Sequence, residues 1–589
     1  MITLPFIFLF SYFFFSSPTY SKSPIETTQH CSFTGLGIVA KGLSTSEGAC
    51  RYTVRYGRAE RWGESEFALG DIKNQSFSDL TPSCPQSPGS YVSGNEQNED
   101  CLFATVYIPQ SATLLSKLPV FVWLHGGSYI TGSASAPGLD GSKLAVQGNI
   151  IVVVLQYRLG VLGFLPPSSA SSSSDPNLGL RDVTLALKGI QKGIGFVGGD
   201  EDRVTIGGQS SGAGLIRALL GVPDAKGLFR AAIIQSDPMA SSQNYLDIDV
   251  QEPINKCTDL KCLQSIPSAS IIAAQNVLLS TAPLMIEGLP ISMPIRPTFG
   301  NPTLPSDPTV SLFTSPSDLP LWDIPLLITT VANEAGTAVS EIFPAPVTLS
   351  QDNYYATLAA TIGAERAEIL SSSREYCLPN ATGYGEGGDV FREKYERAAT
   401  EGIWTCPNRD VAEQWSRNGG KVWVGQWNKG VTYPSNDNNG YCKSKGRVCH
   451  EDDIYPTFGT SPDTSDGVTS LEEDILSYWT SFITTLNPSP STTKRDNIDC
   501  RRSLGEWFSW LWPFKRAIIP QRSSSSSSEN WSPYISEDDV LAIGGGQISR
   551  CPEGFWGEKA KYDWQLNGKQ ECGWDQKADV MDNLSLLSL

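Results

Sequence analysis

Histidine is scarce in this chain of 589 residues, which contains only His30, His125 and His450. Because histidine is the usual general base in proteins, this scarcity narrows the choice of a catalytic base to very few positions. Basic residues are also outnumbered, at 44 Lys and Arg against 62 Asp and Glu, giving a formal net charge of −18. A surface of that sign argues against nucleic acid and anionic membranes as partners.

Long apolar runs are equally rare, and the one clear case lies at the amino terminus. Residues 1–15 are predominantly apolar and are followed by small and polar residues to about Lys22. The run is shorter than the roughly 20 apolar residues of a membrane span. We therefore predict a signal peptide over 1–22, with a membrane anchor as the alternative, although basic residues are missing from its start. The mature chain is expected to be secreted, without a transmembrane anchor.

The pentapeptide G-Q-S-S-G at 208–212 is the most informative motif that is present. An apolar run at 204–206 precedes it, and 213–220 has the composition of a helix. A strand, a G-x-S-x-G turn and a helix together describe a nucleophile elbow, in which glycines allow a sharp turn. This context predicts Ser210 as a nucleophile and the Ser211 backbone N–H as an oxyanion donor.

The same reasoning selects a base for Ser210. His30 lies in the first residues of the predicted mature chain, where order is least expected. His125 directly follows the apolar strand 120–124 and begins H-G-G, which suits Gly126 and Gly127 as further oxyanion donors. His125 itself is interpreted as structural, and His450 remains as the general base.

A carboxylate is needed to orient that histidine, and Glu334 is the candidate. It follows the apolar run 325–331 within A-N-E-A-G, at the end of a predicted buried strand, where catalytic groups collect in open α/β sheets. Asp452 and Asp453, next to His450, are expected to be either solvated or packed behind the site.

Several spaced motifs in this order resemble the type-B carboxylesterases, the branch of the α/β-hydrolases that includes cholinesterases, fungal lipases and fungal carboxylesterases. They are E-D-C-L at 99–102, H-G-G at 125–127, N-L-G-L-R-D at 177–182, G-G-D at 198–200, the elbow, the acid loop 332–336 and the histidine loop at 450–459. The resemblance implies an α/β-hydrolase fold, with a central, mostly parallel twisted sheet flanked by helices and large loop insertions. It also implies one such domain over 23–589.

The activity that the resemblance implies is hydrolysis of a small-molecule or lipid carboxylic ester through an acyl-enzyme, with no cofactor and no metal. An interfacial triacylglycerol or sterol-ester lipase is one alternative, although the short Cys84–Cys101 separation leaves little room for a lid. A non-catalytic adhesion or binding module on the same fold is the other. Such modules typically lose the nucleophile or the histidine, and both are present here.

Three residues are expected to pack behind the predicted triad: Gln209, Ser236 and Asp237. Some of them differ from the residues usual in the family. The family usually has Glu immediately before the nucleophile, where this chain has Gln209. Asp237 follows Gln235 and Ser236 at a position where the family often has glycine. We hypothesise that Asp237 restores a negative charge near His450.

Thirteen cysteines in an exported chain indicate disulfides rather than a metal site. The resemblance implies a bridge between Cys84 and Cys101. The remaining pairings expected are Cys257–Cys262, Cys442–Cys449, Cys551–Cys572, Cys377–Cys406 and Cys31–Cys50, which leaves Cys500 unpaired.

The Asn-x-Ser/Thr sequons predict glycosylation at Asn74, Asn380, Asn530 and Asn583. A segment at 489–529 reads as an insertion relative to the family, and it carries an aromatic patch at 507–514. A packed surface insertion or an error in the gene model is favoured there over a lipid-binding patch, because Pro513 stops any helix and no amphipathic period is clear.

Overall fold

The computed structural model describes residues 31–35, 38–68, 78–88, 97–167, 175–239, 257, 259–285, 295–379, 389–444, 446–490 and 530–567. The predicted signal peptide and aromatic patch lie outside these residues, as do His30, Cys500, Cys572 and three sequon asparagines, Asn74, Asn380 and Asn583. The fourth sequon asparagine, Asn530, is exposed.

The described residues form fourteen strands. They are β1 Ser32–Gly35, β2 Ile38–Lys41, β3 Leu43–Ser44, β4 Ala49–Arg55, β5 Gly57–Arg58, β6 Glu66–Phe67, β7 Phe103–Pro109, β8 Leu118–Leu124, β9 Ile151–Leu155, β10 Gly199–Gln209, β11 Ala231–Gln235, β12 Leu326–Val331, β13 Val422–Trp427 and β14 Leu541–Ile543.

Ten of these strands form one central sheet, in the order β14-β13-β12-β11-β10-β8-β9-β7-β4-β3. The neighbours from β14 to β9 run parallel, whereas β7, β4 and β3 add antiparallel pairs at one edge. The carboxyl ends of the parallel strands therefore meet at one edge of the sheet, where the loops after β8, β10, β12 and β13 lie.

Fifteen α-helices accompany the strands in the described residues. They are α1 Ser142–Gly148, α2 Gly160–Gly163, α3 Leu178–Gly193, α4 Ser211–Leu220, α5 Leu260–Ser265, α6 Ser268–Met285, α7 Pro308–Thr314, α8 Gly336–Ile342, α9 Gln351–Ile362, α10 Ala364–Ser372, α11 Val390–Ala399, α12 Cys406–Arg417, α13 Ile454–Phe458, α14 Asp466–Thr485 and α15 Asp563–Asn567. No helix in the described ranges is long and apolar enough to cross a membrane.

Both faces of the central sheet are covered, which explains why its strands are apolar throughout rather than alternating. In β8, Val120 and Val122 face one hydrophobic core, together with α3 and α4. Phe121 and Trp123 of the same strand face a second core that includes α14. Alternate side chains of one strand therefore pack into two cores on opposite faces of the sheet. The α/β-hydrolase architecture predicted from the sequence is present.

A third core lies away from the sheet faces and includes residues of α8 to α11. Tyr354 and Phe391 pack there with Trp556 and Trp564 of the carboxyl-terminal segment. Ala335, in the loop after β12, belongs to the same core. This core therefore supports the predicted acid loop from outside the sheet.

Five disulfides join described cysteines: Cys31–Cys50, Cys84–Cys101, Cys257–Cys262, Cys406–Cys551 and Cys442–Cys449. Two of the expected pairings are wrong. Cys551 bonds Cys406 and not Cys572, and Cys406 is therefore not the partner of Cys377, which is free. The pairing failed because folding brings together residues 145 positions apart, which short sequence spacing does not reveal.

Candidate active site

The predicted nucleophile elbow lies where β10 runs into α4. Ser210 joins the two elements with φ 55° and ψ −124°, a strained conformation for a residue with a side chain. Its backbone N–H donates to the carbonyl of Gln235 at 2.9 Å, which anchors the turn to the end of β11. A β-carbon on Gly212 would lie 2.1 Å from the carbonyl oxygen of Leu124, so only glycine fits there.

The loop after β8 packs directly against this elbow. A β-carbon on Gly126 would meet the Ser210 β-carbon at 3.2 Å, and Gly127 has φ +112°. In the described part of the chain, the backbone N–H groups of Gly126 and Gly127 make no hydrogen bond. Ser211 is the first residue of α4, and the N–H groups of a helix's first turn have no partner within the helix. Gly126 packs against Ser210 and Ser211 directly follows it, so the three N–H groups belong to the two segments that meet at the elbow.

His125 begins that loop, and its side chain is buried. Its ring stacks on Tyr157 with centroids 4.4 Å apart, and Nδ1 lies 2.9 Å from the carbonyl oxygen of Gly126. Burial lowers the pKa of His125 to about 4, so its imidazole is neutral at ordinary pH. A neutral, buried ring of this kind suits support of the glycine loop rather than proton transfer.

Glu334 and His450 are brought together by the loops after β12 and β13. His450 Nδ1 lies 2.6 Å from Glu334 Oε2, and the other carboxylate oxygen accepts the backbone N–H of Val331 at 2.8 Å. Glu334 is 1% exposed. A buried carboxylate that only accepts hydrogen bonds fixes the proton of neutral His450 on Nδ1 and leaves a lone pair on Nε2.

The charge of His450 is set by opposing effects. Burial lowers the pKa of its imidazole, but the hydrogen bond and charge of Glu334, with the charges of Glu451 and Asp453, raise it above the ordinary histidine value overall. The Trp404 ring lies against the imidazole with centroids 5.6 Å apart. The site therefore stabilises the imidazolium that forms when a histidine accepts a proton.

Asp452 holds the histidine loop in place. Its carboxylate accepts from the backbone N–H groups of Tyr433 and Cys449, both at 2.9 Å, and from Asn436 Nδ2 at 3.0 Å. The same Asn436 amide donates to the His450 carbonyl at 2.9 Å. Burial raises the pKa of Asp452 to about 6, against these hydrogen bonds.

Asp453 is also buried, behind the histidine. Its Oδ2 accepts from Gln235 Nε2 at 2.8 Å, and burial raises its pKa to about 7. Gln235 is fixed in turn by Trp479, whose indole N–H donates to it at 3.1 Å. Of the two possibilities for the acidic pair beside His450, packing behind the site is the one observed.

A second buried carboxyl group supports the acid loop. The Ala335 backbone N–H donates to Thr400 Oγ1 at 3.0 Å, and that hydroxyl donates to Glu396 at 2.9 Å. Burial raises the pKa of Glu396 to about 7. Thr400 begins a π-helical turn, Thr400–Thr405, between α11 and α12, which also carries Trp404. Sequence reasoning missed these residues, because no motif marks them.

The three residues expected behind the triad have separate environments. Gln209 is fully buried, and its Nε2 lies 3.3 Å from His450 Nε2. Ser236 has φ +54°, and its buried hydroxyl makes no hydrogen bond among the described residues. Asp237 pairs with Arg217, whose Nε lies 2.8 Å from Oδ2. The hypothesised charge of Asp237 is thus directed at an arginine, and the carboxylates that act on His450 belong to other residues.

Among the described residues, no group of three or more His, Cys, Asp or Glu side chains is arranged to hold a metal ion. A hydroxyl on a strained turn, a carboxylate-oriented imidazole and a cluster of unpaired N–H groups together suit attack on a carbonyl carbon.

Comparison with known proteins agrees with this geometry. The model of the Carboxylesterase family matches residues 75–542. Para-nitrobenzyl esterase of Bacillus subtilis (strain 168) is 48% identical over 157 residues, which is 26% of this chain and 32% of that protein. Human carboxylesterase 5A is 39% identical over 188 residues, 30% of this chain and 32% of its own length. The chain thus aligns with about a third of the length of these curated relatives.

Solved structures extend the similarity over much more of the fold. A PNB esterase structure superimposes with a TM-score of 0.62 at 28% sequence identity. The match covers 79% of this chain and 93% of that one. A thermophilic PNB esterase gives the same TM-score, identity and coverage.

Proposed function

The chain belongs to the carboxylesterase family, and from that premise we propose that it hydrolyses carboxylic esters through a Ser210–His450–Glu334 triad. The observation that carries the proposal is the hydrogen-bonded pair of His450 and Glu334, at 2.6 Å, beside the strained Ser210 turn. Relatives named as esterases and carboxylesterases support the same reaction class.

In the proposed first half-reaction, His450 Nε2 takes the proton of Ser210 as Oγ attacks the ester carbonyl carbon. The N–H groups of Gly126, Gly127 and Ser211 bind the oxyanion, and losing one such donor typically costs about 3 kcal/mol of barrier stabilisation. His450 then protonates the leaving alcohol. Glu334 stays ionised and holds the imidazole in one tautomer.

Water completes the reaction. His450 removes a proton from a water molecule as the water oxygen attacks the acyl carbonyl carbon. It then returns that proton to Ser210 Oγ as the bond between Oγ and the acyl carbon breaks, which releases the carboxylic acid and regenerates the enzyme. No step in this sequence requires a metal or an organic cofactor. The substrate class we propose is a small-molecule or lipid ester.

We also propose that the enzyme is secreted. The apolar amino terminus has the composition of a signal peptide, and the five disulfides of the described residues suit an oxidising compartment. The exposed Asn530 is proposed as a glycosylation site on the same grounds.

The first test is hydrolysis of p-nitrophenyl esters of increasing acyl length by the purified wild type and by Ser210→Ala. We expect the variant to lose about a thousandfold or more in kcat/KM, because the nucleophile is gone. Preference for short soluble esters supports a carboxylesterase. Rates that rise sharply above the solubility limit of long-chain esters would favour a lipase. Absence of Ser210-dependent hydrolysis in folded wild type would favour a binding module.

A further inference from the structure

Asn436 lies between the two segments that carry the proposed base and the proposed acid. It ends the short 3₁₀ turn Pro434–Asn436, in the connection between β13 and His450, and it is fully buried. Its Oδ1 accepts a hydrogen bond from Thr337 Oγ1 at 2.9 Å. Its Nδ2 donates to the His450 carbonyl oxygen at 2.9 Å and to Asp452 Oδ1 at 3.0 Å. The oxygen and both N–H groups of this amide are therefore used.

The chemistry of the partners fixes the orientation of the Asn436 amide. The His450 carbonyl oxygen can only accept a hydrogen bond, and so can the ionised carboxylate of Asp452. The amide nitrogen must therefore face these two groups, which leaves the amide oxygen for the hydroxyl of Thr337. A single orientation satisfies all three contacts, so the amide is held firmly in place.

Thr337 connects Asn436 to the acid loop. It is the second residue of α8 and follows Glu334 by three positions. Because α8 begins so soon after Glu334, the position of this helix sets where the acid loop ends. Two hydrogen bonds in series, from Thr337 to Asn436 and from Asn436 to the carbonyl of His450, thus tie the helix to the backbone of the proposed base.

A second link joins the same two loops on the other side of Glu334. The Asn333 backbone N–H donates to the Val448 carbonyl at 2.9 Å, and Asn333 Oδ1 accepts the Val448 N–H at 3.1 Å. One link alone would allow the loops to rotate about it and would leave the distance between Glu334 and His450 variable. With the link through Asn436, the acid loop is attached to the histidine loop both before and after Glu334.

We propose that Asn436 is a positioning residue, which holds the backbone of His450 at the distance from α8 at which the imidazole reaches Glu334. The proposal rests on the proposed ester hydrolysis and adds to it a residue that lies outside the catalytic motifs.

Thr337→Val is the sharpest test, because it removes one hydroxyl while keeping the shape of the side chain and the bonds from Asn436 to His450. We expect kcat for p-nitrophenyl acetate to fall about tenfold with KM unchanged, since a slightly misplaced catalytic group slows the chemical steps. Asn436→Leu removes both ends of the link at nearly constant size, and it should lower kcat about a hundredfold.

The pH profile separates positioning from a loss of stability. Burial lowers the pKa of His450, whereas the hydrogen bond and charge of Glu334 raise it. The other charged groups that raise this pKa, Glu451 and Asp453, belong to the histidine loop itself. A longer distance from Glu334 therefore lowers the pKa of His450. We expect the acidic limb of kcat/KM to move to lower pH by roughly half a unit or more in both variants. Lower stability alone would leave the limb in place.

Thr184→Val is the matched control, because its buried hydroxyl donates to the Leu180 carbonyl within α3, at 2.9 Å. This variant should keep the wild-type kcat and acidic limb. If Thr337→Val gives the same kcat and the same limb as this control, the proposal is overturned, even where Asn436→Leu does not fold.

Proton NMR gives a readout that does not depend on ester hydrolysis. The hydrogen between His450 Nδ1 and Glu334 lies in a short, charge-assisted hydrogen bond and should give a low-field resonance, which Glu334→Gln identifies by its loss. We expect this resonance to shift or broaden in Thr337→Val and to stay unchanged in Thr184→Val. An unchanged resonance in Thr337→Val overturns the positioning role. A wild type without Ser210-dependent hydrolysis overturns the proposed function instead.

Discussion

The two halves of the site are held in place by different means. The nucleophile half, Ser210 with the glycine loop after β8, is fixed by backbone packed on backbone, as the 2.1 Å approach of a Gly212 β-carbon to the Leu124 carbonyl oxygen shows. The acid–base half, Glu334 with His450, is fixed by polar side chains, the Cys442–Cys449 disulfide and the third core. In the nucleophile half, one added β-carbon is enough to disturb the packing. In the acid–base half, many separate contacts hold Glu334 and His450 in place.

Gly212→Ala should give the largest loss of stability, because it disrupts the backbone packing of the nucleophile half. The new methyl group has no space against Leu124, so we expect the free energy of unfolding to fall by about 3 kcal/mol or more. Urea unfolding measures the change. Gly193→Ala, at a position with no atom within 4 Å of the added carbon, is the control and should be nearly neutral. Equal stability of the two variants would contradict the steric account.

Glu396→Gln tests the acid–base half through the pH dependence of its stability. Burial raises the folded-state pKa of Glu396 from 4.5 to about 7. Its contribution to stability is therefore complete below pH 4.5 and is lost as pH rises through about 7, a loss of up to about 3 kcal/mol. The glutamine variant lacks that loss, so its unfolding free energy should decline less than that of wild type between pH 4 and pH 8.

The control for this measurement is Glu368→Gln, which changes an exposed carboxylate on α10. It should follow the wild-type pH dependence of stability. If Glu396→Gln follows the same curve as this control, the buried carboxyl group is not a source of the pH dependence.

Replacing Cys442 and Cys449 by alanine removes the disulfide of the acid–base half. The expected change in unfolding free energy is smaller than in the two preceding predictions. Closing so short a loop is worth about 2 kcal/mol. The Cys449 sulfur would lie 2.4 Å from a β-carbon on Gly336, so the bridge also contacts the acid loop. We therefore expect kcat for p-nitrophenyl acetate to fall about tenfold through misplacement of His450.

The matched control replaces Cys31 and Cys50, a bridge at the start of the described chain. Its loss should lower the unfolding temperature by a similar or larger amount but leave kcat unchanged. Equal effects of the two pairs on kcat would show that Cys442–Cys449 has no special relation to the site.

The difference between the halves also explains what could be predicted from the sequence. The elbow and the glycine loop are contiguous motifs whose glycines are demanded by local sterics, so sequence alone locates Ser210 and Gly126. The scarcity of histidine predicts His450 as the base, and the position after a buried strand predicts Glu334 as its partner. The structure places the two side chains 2.6 Å apart. The mostly parallel sheet was implied by the resemblance to the type-B carboxylesterases.

Other contacts had no local signal. Thr400 bonds the Ala335 backbone from 65 positions away, and both are ordinary residue types in ordinary surroundings. Asp237 pairs with Arg217 of α4, 20 positions earlier in the chain, and no motif indicates that pair. The partner of Cys551 is 145 positions away. Contacts of this kind depend on how α8 to α12 and the carboxyl-terminal segment pack, and periodicity does not encode that packing.

The Cys406–Cys551 bond has a consequence for the covalent integrity of the enzyme. It closes a ring of chain that contains His450, while Ser210 and Glu334 lie outside the ring. A single proteolytic cut anywhere between the two cysteines therefore opens the ring without releasing a fragment. The three proposed catalytic residues would remain in one covalent assembly, so a nicked, two-chain enzyme is compatible with this architecture.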